Sequence, residues 1–67
     1  MKIRTINHAI KDAGLRMELI KGRGYFYFIG PDVNPHAEGV YVFTLNQLSV
    51  SQWVQEARER RGGASAS

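Results

Sequence analysis

The fold depends on residues 15–29, which read LRMELIKGRGYFYFI. Apolar and polar side chains alternate over the first part of this stretch, and its last five residues are all aromatic or β-branched, so each run is typical of a β-strand. Between the runs lies Gly22-Arg23-Gly24, which suits a two-residue turn at either Gly22-Arg23 or Arg23-Gly24. The stretch therefore predicts a β-hairpin.

The turn decides which side chains of the hairpin share a face, because successive side chains of a strand point to opposite sides. With a two-residue turn, the predicted core face carries Leu15, Met17, Leu19, Phe26 and Phe28. The opposite face carries Arg16, Glu18, Ile20, Tyr25, Tyr27 and Ile29. A three-residue turn would flip the second strand, burying the tyrosines and exposing the phenylalanines.

A helix is predicted before the hairpin. Apolar residues recur there at spacings of three and four, namely Ile3, Ile6, Ile10 and Ala13. Thr5 is a candidate N-cap, and Gly14 is a candidate helix terminator because glycine accepts a positive φ. The pattern indicates a helix over residues 5–13.

A second helix is predicted near the end of the chain. Ser49 and Gln52 have the spacing of a capping box, and Leu48 and Trp53 flank it as a hydrophobic staple. The helix is therefore expected to begin just after Ser49. Its polar residues are expected to face water: Gln52, Gln55, Glu56, Glu59 and Arg60.

A third strand is predicted over residues 40–45, which read VYVFTL and alternate again. The loop before it is rich in turn formers, namely Pro31, Asp32, Asn34 and Pro35. Both faces of the strand are apolar, so either Val40 and Val42 or Tyr41 and Phe43 could point inward. We favour the valines.

These elements predict a single α+β domain over residues 1–61. Its expected architecture is an α-β-β-β-α two-layer sandwich, in which a three-stranded antiparallel sheet carries both helices on one face and leaves the other face open. Residues 62–67, GGASAS, have no side chains to bury and predict a flexible Gly/Ala/Ser tail.

Length and composition limit the class of protein. A chain of 67 residues supports one small core, and without cysteine it has neither a disulfide nor a thiolate metal site to stabilise it. A homodimer is therefore kept open. No apolar run is long enough to cross a bilayer, and the first residues lack the apolar segment of a signal peptide, so we expect a cytoplasmic protein with no membrane partner.

Positive charge is concentrated in the first third of the chain. Residues 1–23 hold six basic and two acidic residues, whereas residues 24–57 hold three acidic residues and no Lys or Arg. Such a patch could bind phosphates or only aid solubility. The candidate phosphate-binding residues are Lys2, Arg4, Lys11, Lys21 and Arg23.

The open sheet face is expected to be aromatic, which marks a contact site. Its candidate residues, for a protein partner or for base stacking, are Arg16, Tyr25, Tyr27, Tyr41 and Phe43. Aromatic rings beside basic residues suit DNA or RNA, which predicts a small nucleic-acid-binding or regulatory accessory protein. The same face would also suit a protein-interaction or dimerisation module that binds a host protein or a second copy of the chain.

The α-β-β-β-α order over residues 3–60 resembles the double-stranded-RNA-binding domain and the HicA-type toxins that share its layout. In those toxins a lysine-glycine turn leads into a histidine that carries RNA cleavage. Here residues 21–25 read KGRGY, without a histidine. The RNA-binding domain has a lysine cluster at the start of its second helix, whereas residues 51–54 read SQWV. The resemblance thus implies the layout and not these sites.

Two segments also look like parts of small uncharacterised proteins encoded on bacterial prophages and plasmids. They are residues 18–28, ELIKGRGYFYF, and residues 45–53, LNQLSVSQW. This resemblance implies a mobile genetic element as the context and brings no activity with it.

The sequence offers no convincing catalytic set. His8 and His36 have no cysteine and no nucleophile at a recognisable spacing, so both a catalytic triad and a zinc site lack components. Gly22 and Gly24 lack the third glycine of a nucleotide-binding loop. We therefore expect a protein that is not an enzyme, with no catalytic residue, no cofactor and no metal site.

Overall fold

Two short helices and a β-hairpin make up residues 1–62, the part of the chain that the computed structural model describes. The elements are, in order, α1 (Ile3–Asp12), β1 (Glu18–Lys21), β2 (Phe26–Ile29), a 3₁₀ turn (Leu45–Gln47) and α2 (Val50–Glu59). The predicted α+β class is confirmed. Within residues 1–62, no helix has the length and apolar character needed to cross a bilayer.

One apolar core lies between the hairpin and the two helices. Its centre is Trp53 of α2, which is fully buried and packs edge-on against Phe26 and Phe28, with ring centroids 5.2 and 6.5 Å away. All five side chains predicted for the core face of the hairpin are buried. The complete set is Ile6, Ile10, Leu15, Met17, Leu19, Phe26, Phe28, Val40, Trp53 and Ala57.

The first helix begins earlier than its sequence pattern predicts. Lys2 is the N-cap of α1, so the predicted cap at Thr5 is wrong. The apolar spacing itself begins at Ile3, and this residue opens the helix. Gly14 has a φ of 82° just after the helix end, in agreement with its predicted role as terminator.

The hairpin has the two-residue turn centred on residues 23–24. Lys21 lies opposite Phe26, and the N–H of Gly22 donates to the carbonyl of Tyr25 at 2.8 Å. The glycine of the turn supplies the positive φ, 75°, that the tight reversal requires. This register explains why the predicted core face is the buried one.

The outer edge of β1 is covered by a side chain of α1. The N–H of Leu19 donates to Oδ1 of Asn7 at 2.7 Å, and Nδ2 of Asn7 lies 3.5 Å from the Leu19 carbonyl. The Asn7 amide therefore takes the place of a neighbouring strand at that position and ties α1 to the hairpin.

The predicted three-stranded sheet is wrong, because the segment after Val40 leaves the sheet. Phe26 and Val40 exchange two backbone hydrogen bonds of 2.8 and 2.7 Å. Antiparallel pairing continued from there would place Val42 opposite Gly24, inside the hairpin turn. Residues 41–45 therefore run past the end of β2, and the N–H of Val42 donates locally to the Val40 carbonyl at 3.1 Å. The described sheet has two strands, β1 and β2, with one bridge to Val40.

Gln47 turns the chain after this departure. Its Oε1 accepts the N–H groups of Phe43 and Thr44 at 2.7 and 3.0 Å, which bends the backbone into the 3₁₀ turn. The indole N–H of Trp53 donates to the carbonyl of Leu45 at 2.9 Å and fixes this turn to the core.

The predicted capping box of α2 is confirmed. The N–H of Ser49 donates to Oε1 of Gln52 at 2.8 Å, and the N–H of Gln52 donates to Oγ of Ser49 at 3.2 Å. The helix begins at Val50, as the pattern predicts.

Arg60 was expected to face water, and this prediction is wrong. Its guanidinium donates to the carbonyl of Glu38 at 2.7 Å and to the carboxylate of Glu56 at 2.8 Å, and lies 5.8 Å from the centre of the Phe28 ring. Only 16% of the side chain is exposed. Arg60 therefore clamps the loop before Val40 against α2.

The same loop pairs with the chain after α2. The N–H of Asn34 donates to the carbonyl of Arg60 at 2.8 Å, and the N–H of Gly62 donates to the carbonyl of Asp32 at 2.9 Å. Gly62, which the sequence assigns to a flexible tail, is thus bonded to the domain. The rest of the predicted tail, residues 63–67, lies outside the described residues.

We expect Arg60→Ala to lower the free energy of unfolding by about 1–3 kcal/mol, because it removes charge-assisted hydrogen bonds and leaves loop carbonyls without a partner. Arg58→Ala is the matched control, since Arg58 is exposed in the last turn of the same helix, and it should cost no more than about 0.5 kcal/mol. Urea unfolding followed by Trp53 fluorescence measures both. Equal losses would contradict the clamp.

Candidate nucleic-acid interface

Two large aromatic side chains are exposed at the turn end of the hairpin. Tyr41 is 76% exposed and Phe43 is 82% exposed, since they lie on the segment that runs past the end of β2. The alternating valines point the other way, with Val40 buried and Val42 half-buried, as favoured from the sequence. A ring atom of Phe43 lies 3.9 Å from the position that a Cβ at Gly24 would occupy, so Phe43 is beside the turn.

Tyr25 joins the exposed aromatics to the hairpin. Its ring centroid is 5.7 Å from that of Tyr27 and 6.0 Å from that of Tyr41, and we call these three residues the tyrosine cluster. The Tyr25 ring lies over Gly22, where a Cβ would come within 2.5 Å of the ring. A side chain at position 22 would therefore make the Tyr25 ring shift.

Four of the five predicted phosphate-binding residues lie at or next to this end of the molecule. Lys21 lines a cavity together with Phe43 and Ile3, and Arg23 is in the turn itself. Lys2 and Arg4 directly precede and follow Ile3. We call these four the basic tip residues: Lys2, Arg4, Lys21 and Arg23.

Lys11 does not belong to this group. It lies near the end of α1, two turns beyond Arg4, and lines a shallow groove that Arg4 and Glu18 also line. Lys11 is therefore farther from the turn than the other four, and Arg4 lies between the turn and this groove.

The electrostatic field at the tip is one-sided. All six acidic residues of the chain lie outside residues 1–11 and 19–31, the two segments that carry the basic tip residues. The first turn of α1 contains no acidic residue, so the positive end of the helix dipole adds to the same field. No acidic residue lines the cavity beside Lys21, whereas Glu18 lines the groove that Arg4 shares with Lys11. The attraction of an anion is therefore least opposed on the Lys21 side.

Arg16, predicted for the aromatic face, is engaged at the opposite end of the hairpin. Its guanidinium contacts Oδ1 of Asp32 at 3.1 Å, and its backbone N–H donates to Oδ2 at 2.9 Å. The backbone N–H of Arg16 is the main reason that the pKa of Asp32 is lowered, and the guanidinium adds to the effect. The role of Arg16 is thus to fix the loop after β2.

The site includes residues that the sequence analysis did not select. Ile3 and Leu45 line the cavity beside Phe43, and Gln47 holds the backbone of Phe43 in place. A signal for the last contact was present, because Thr44 and Gln47 have the spacing of a second capping box. That spacing indicates a turn after Phe43 in place of a continued strand.

His8 and His36 are both exposed and lie on different elements. In residues 1–62, no three side chains among histidines and carboxylates come together as a group that could hold a metal ion.

No protein-family model matches the chain, and neither a curated protein nor a solved structure matches it. The resemblance to prophage- and plasmid-encoded proteins therefore stays a prediction. The layout shared with the double-stranded-RNA-binding domain and the HicA-type toxins needs a third strand that this chain replaces with the segment at residues 41–45.

We expect the stability supplied by Asp32 to disappear in acid. A lowered carboxyl pKa means that the charged form favours the folded state, so the contribution is complete well above the ordinary value of 3.8 and is lost as the pH falls through the lower folded value. Asp32→Asn should therefore destabilise the protein at about pH 7 and have a smaller effect at about pH 3, as measured by urea midpoints.

Asp12→Asn is the control, because Asp12 is an exposed carboxylate at the end of α1 and has no part in this contact. A difference between the wild-type and Asp32→Asn midpoints that stays constant with pH would contradict the assigned contact.

Proposed function

We propose that this is a small, non-enzymatic cytosolic protein that binds nucleic acid through the turn end of its hairpin, as an accessory or regulatory protein of a mobile genetic element. The observation that carries the proposal is the exposure of Tyr41 and Phe43, 76% and 82%, beside the basic residues Lys21 and Arg23. The mobile-element context is supported by the sequence resemblance alone.

The two kinds of side chain at the tip have complementary tasks in such binding. Lys and Arg attract phosphates and supply most of the affinity that does not depend on sequence. Exposed rings supply a stacking surface for bases, and large exposed aromatics are uncommon on a surface that has no partner. A role in solubility alone would account for the charges but not for the exposure of Phe43.

The salt dependence of binding tests the proposal. If Lys21 and Arg23 each contact one phosphate, the double variant Lys21→Ala/Arg23→Ala should bind with a weaker salt dependence. The negative slope of the logarithm of the association constant against the logarithm of the salt concentration should become smaller in magnitude by about 1.4 on single strands and about 1.8 on duplex DNA. The slope follows from fluorescence anisotropy titrations with labelled DNA and RNA at several salt concentrations.

The charge-matched control is Arg58→Ala/Arg61→Ala, which removes two exposed arginines on or just after α2. It should leave the slope closer to that of the wild type. The proposal fails if both double variants change the slope equally, or if the wild type binds no nucleic acid at low salt.

A second candidate is supported by the tyrosine cluster. Ile20 and Tyr27 are half-buried on the same open side of the hairpin, and Ile29 is 46% exposed. This surface is mainly apolar, with the exposed Glu18 opposite Ile29 at its edge. Such a surface fits an interface between two copies of the chain. The cluster is separate in chemistry from the basic tip residues.

Self-association through this surface predicts that a dimer persists in high salt, since apolar contacts are screened little by ions. Tyr27→Glu should then yield a folded monomer in sedimentation equilibrium, because it places a charge in the middle of the surface. Wild-type protein that is monomeric at high concentration would exclude this candidate.

A further inference from the structure

A cavity of about 330 Å³ opens next to the hairpin turn. Its lining comes from three parts of the chain: Ile3 of α1, Lys21 and Phe26 of the hairpin, and Phe43, Thr44 and Leu45 of the segment beyond it. This volume is at the small end of the range for ligand clefts, roughly 300–1,000 Å³. A cavity of this volume suits a small, flat chemical group better than the broad surface of another protein.

The lining is apolar inside and basic at its edge. Phe26 is 2% exposed, Ile3 and Leu45 are half-buried, and all three are apolar. Phe43, at 82% exposure, supplies a free aromatic ring, and Lys21 is the one charged residue among the lining residues. A ligand that matches this cavity has a flat aromatic part and a negative charge a short distance away.

The rim of the cavity is held in place before any ligand arrives. Oε1 of Gln47 accepts the N–H groups of Phe43 and Thr44, and the indole of Trp53 holds the carbonyl of Leu45. Because Trp53 is fully buried, the rim is tied directly to the core. Such a site loses little conformational freedom on binding.

From these observations we infer that the cavity takes one unstacked base of a single-stranded nucleic acid, with Phe43 stacking on the base and Lys21 contacting an adjoining phosphate. The inference rests on the proposed function and narrows it to single strands. In a duplex each base is stacked and paired, so its flat face reaches a protein cavity only if the base is flipped out, which costs energy. Single-stranded DNA and RNA both offer the required chemistry.

The charges around the cavity favour this occupant over an apolar peptide. Lys2 directly precedes Ile3, Arg23 lies in the turn two residues after Lys21, and no acidic residue lines the cavity itself. A peptide side chain could fill the same volume but would gain nothing from these charges.

The experiment compares three ligands of about eight nucleotides: oligothymidylate, oligouridylate and an abasic deoxyribose-phosphate strand of equal length. We expect oligothymidylate to bind about 5- to 150-fold more tightly than the abasic strand, which has the same phosphates and no bases. A self-complementary duplex of similar length should bind less tightly than the single strands. The oligouridylate arm shows whether RNA is accepted as well as DNA.

Phe43→Ala should reduce the ratio of the affinities for oligothymidylate and the abasic strand to about 1. Phe43→Leu should restore only part of this ratio, because leucine supplies contact without a ring. Ile29→Ala is the control, since Ile29 is another exposed apolar side chain, 46% exposed, and does not line the cavity. It should leave the ratio unchanged. Phe43 is on the surface, so the urea midpoints of its variants should stay near that of the wild type.

The remaining outcomes contradict either the cavity assignment alone or the proposed function as well. Equal, salt-sensitive binding of oligothymidylate and the abasic strand, or tighter binding of the duplex, overturns the base cavity and leaves the proposed function standing. An unchanged affinity ratio in Phe43→Ala, or its loss in Ile29→Ala, also overturns the cavity assignment. Absence of binding to every strand overturns the proposed function and the inference together.

Discussion

The two hydrogen bonds between Phe26 and Val40 decide the shape of the functional end of the molecule. They join the second strand to the following segment at the strand's first residue, next to the hairpin turn. Since an antiparallel partner must run the opposite way, the chain after Val40 has no more strand to follow. Tyr41 and Phe43 therefore lie beyond the sheet instead of on it, and their exposure follows from this placement.

The two ends of the hairpin differ in their ion pairs. At the end of the hairpin away from the turn, Arg16 and Asp32 fix the long loop, and Arg60 joins the same loop to α2. The Arg60 side chain is only 16% exposed, whereas the Arg16 side chain stays 76% exposed beside the Asp32 carboxylate that neutralises it. At the turn end the basic side chains have no such carboxylate partners among the described residues. The distribution of ion pairs thus separates the charges that build the fold from those that are available to bind.

The sequence predicts the local parts of this structure well and the long-range parts poorly. Alternation and the Gly-Arg-Gly segment predict the hairpin and its buried face, and the Ser49–Gln52 spacing predicts the start of α2, because each depends on neighbouring residues. The prediction of a third strand is wrong because the position of this segment is set by a ten-residue loop and by Arg60. No local sequence pattern reveals the effect of either. Arg60 itself has the spacing of a solvent-facing residue. At the site, the basic and aromatic residues could be selected from the sequence, but their division into a tip group, Lys11 and Arg16 needed the tertiary structure.

The approach of the Tyr25 ring to Gly22 divides the turn into a rigid position and a permissive one. A side chain at position 22 would displace the Tyr25 ring and change its contacts with Tyr27 and Tyr41, so a substitution there alters the outline of the tip. Position 23 is different, because it has no positive φ and its side chain is exposed. Substitutions at position 23 can therefore change the net charge of the tip without changing its outline. Affinity for a polyanion can then evolve separately from the shape of the surface that discriminates among ligands.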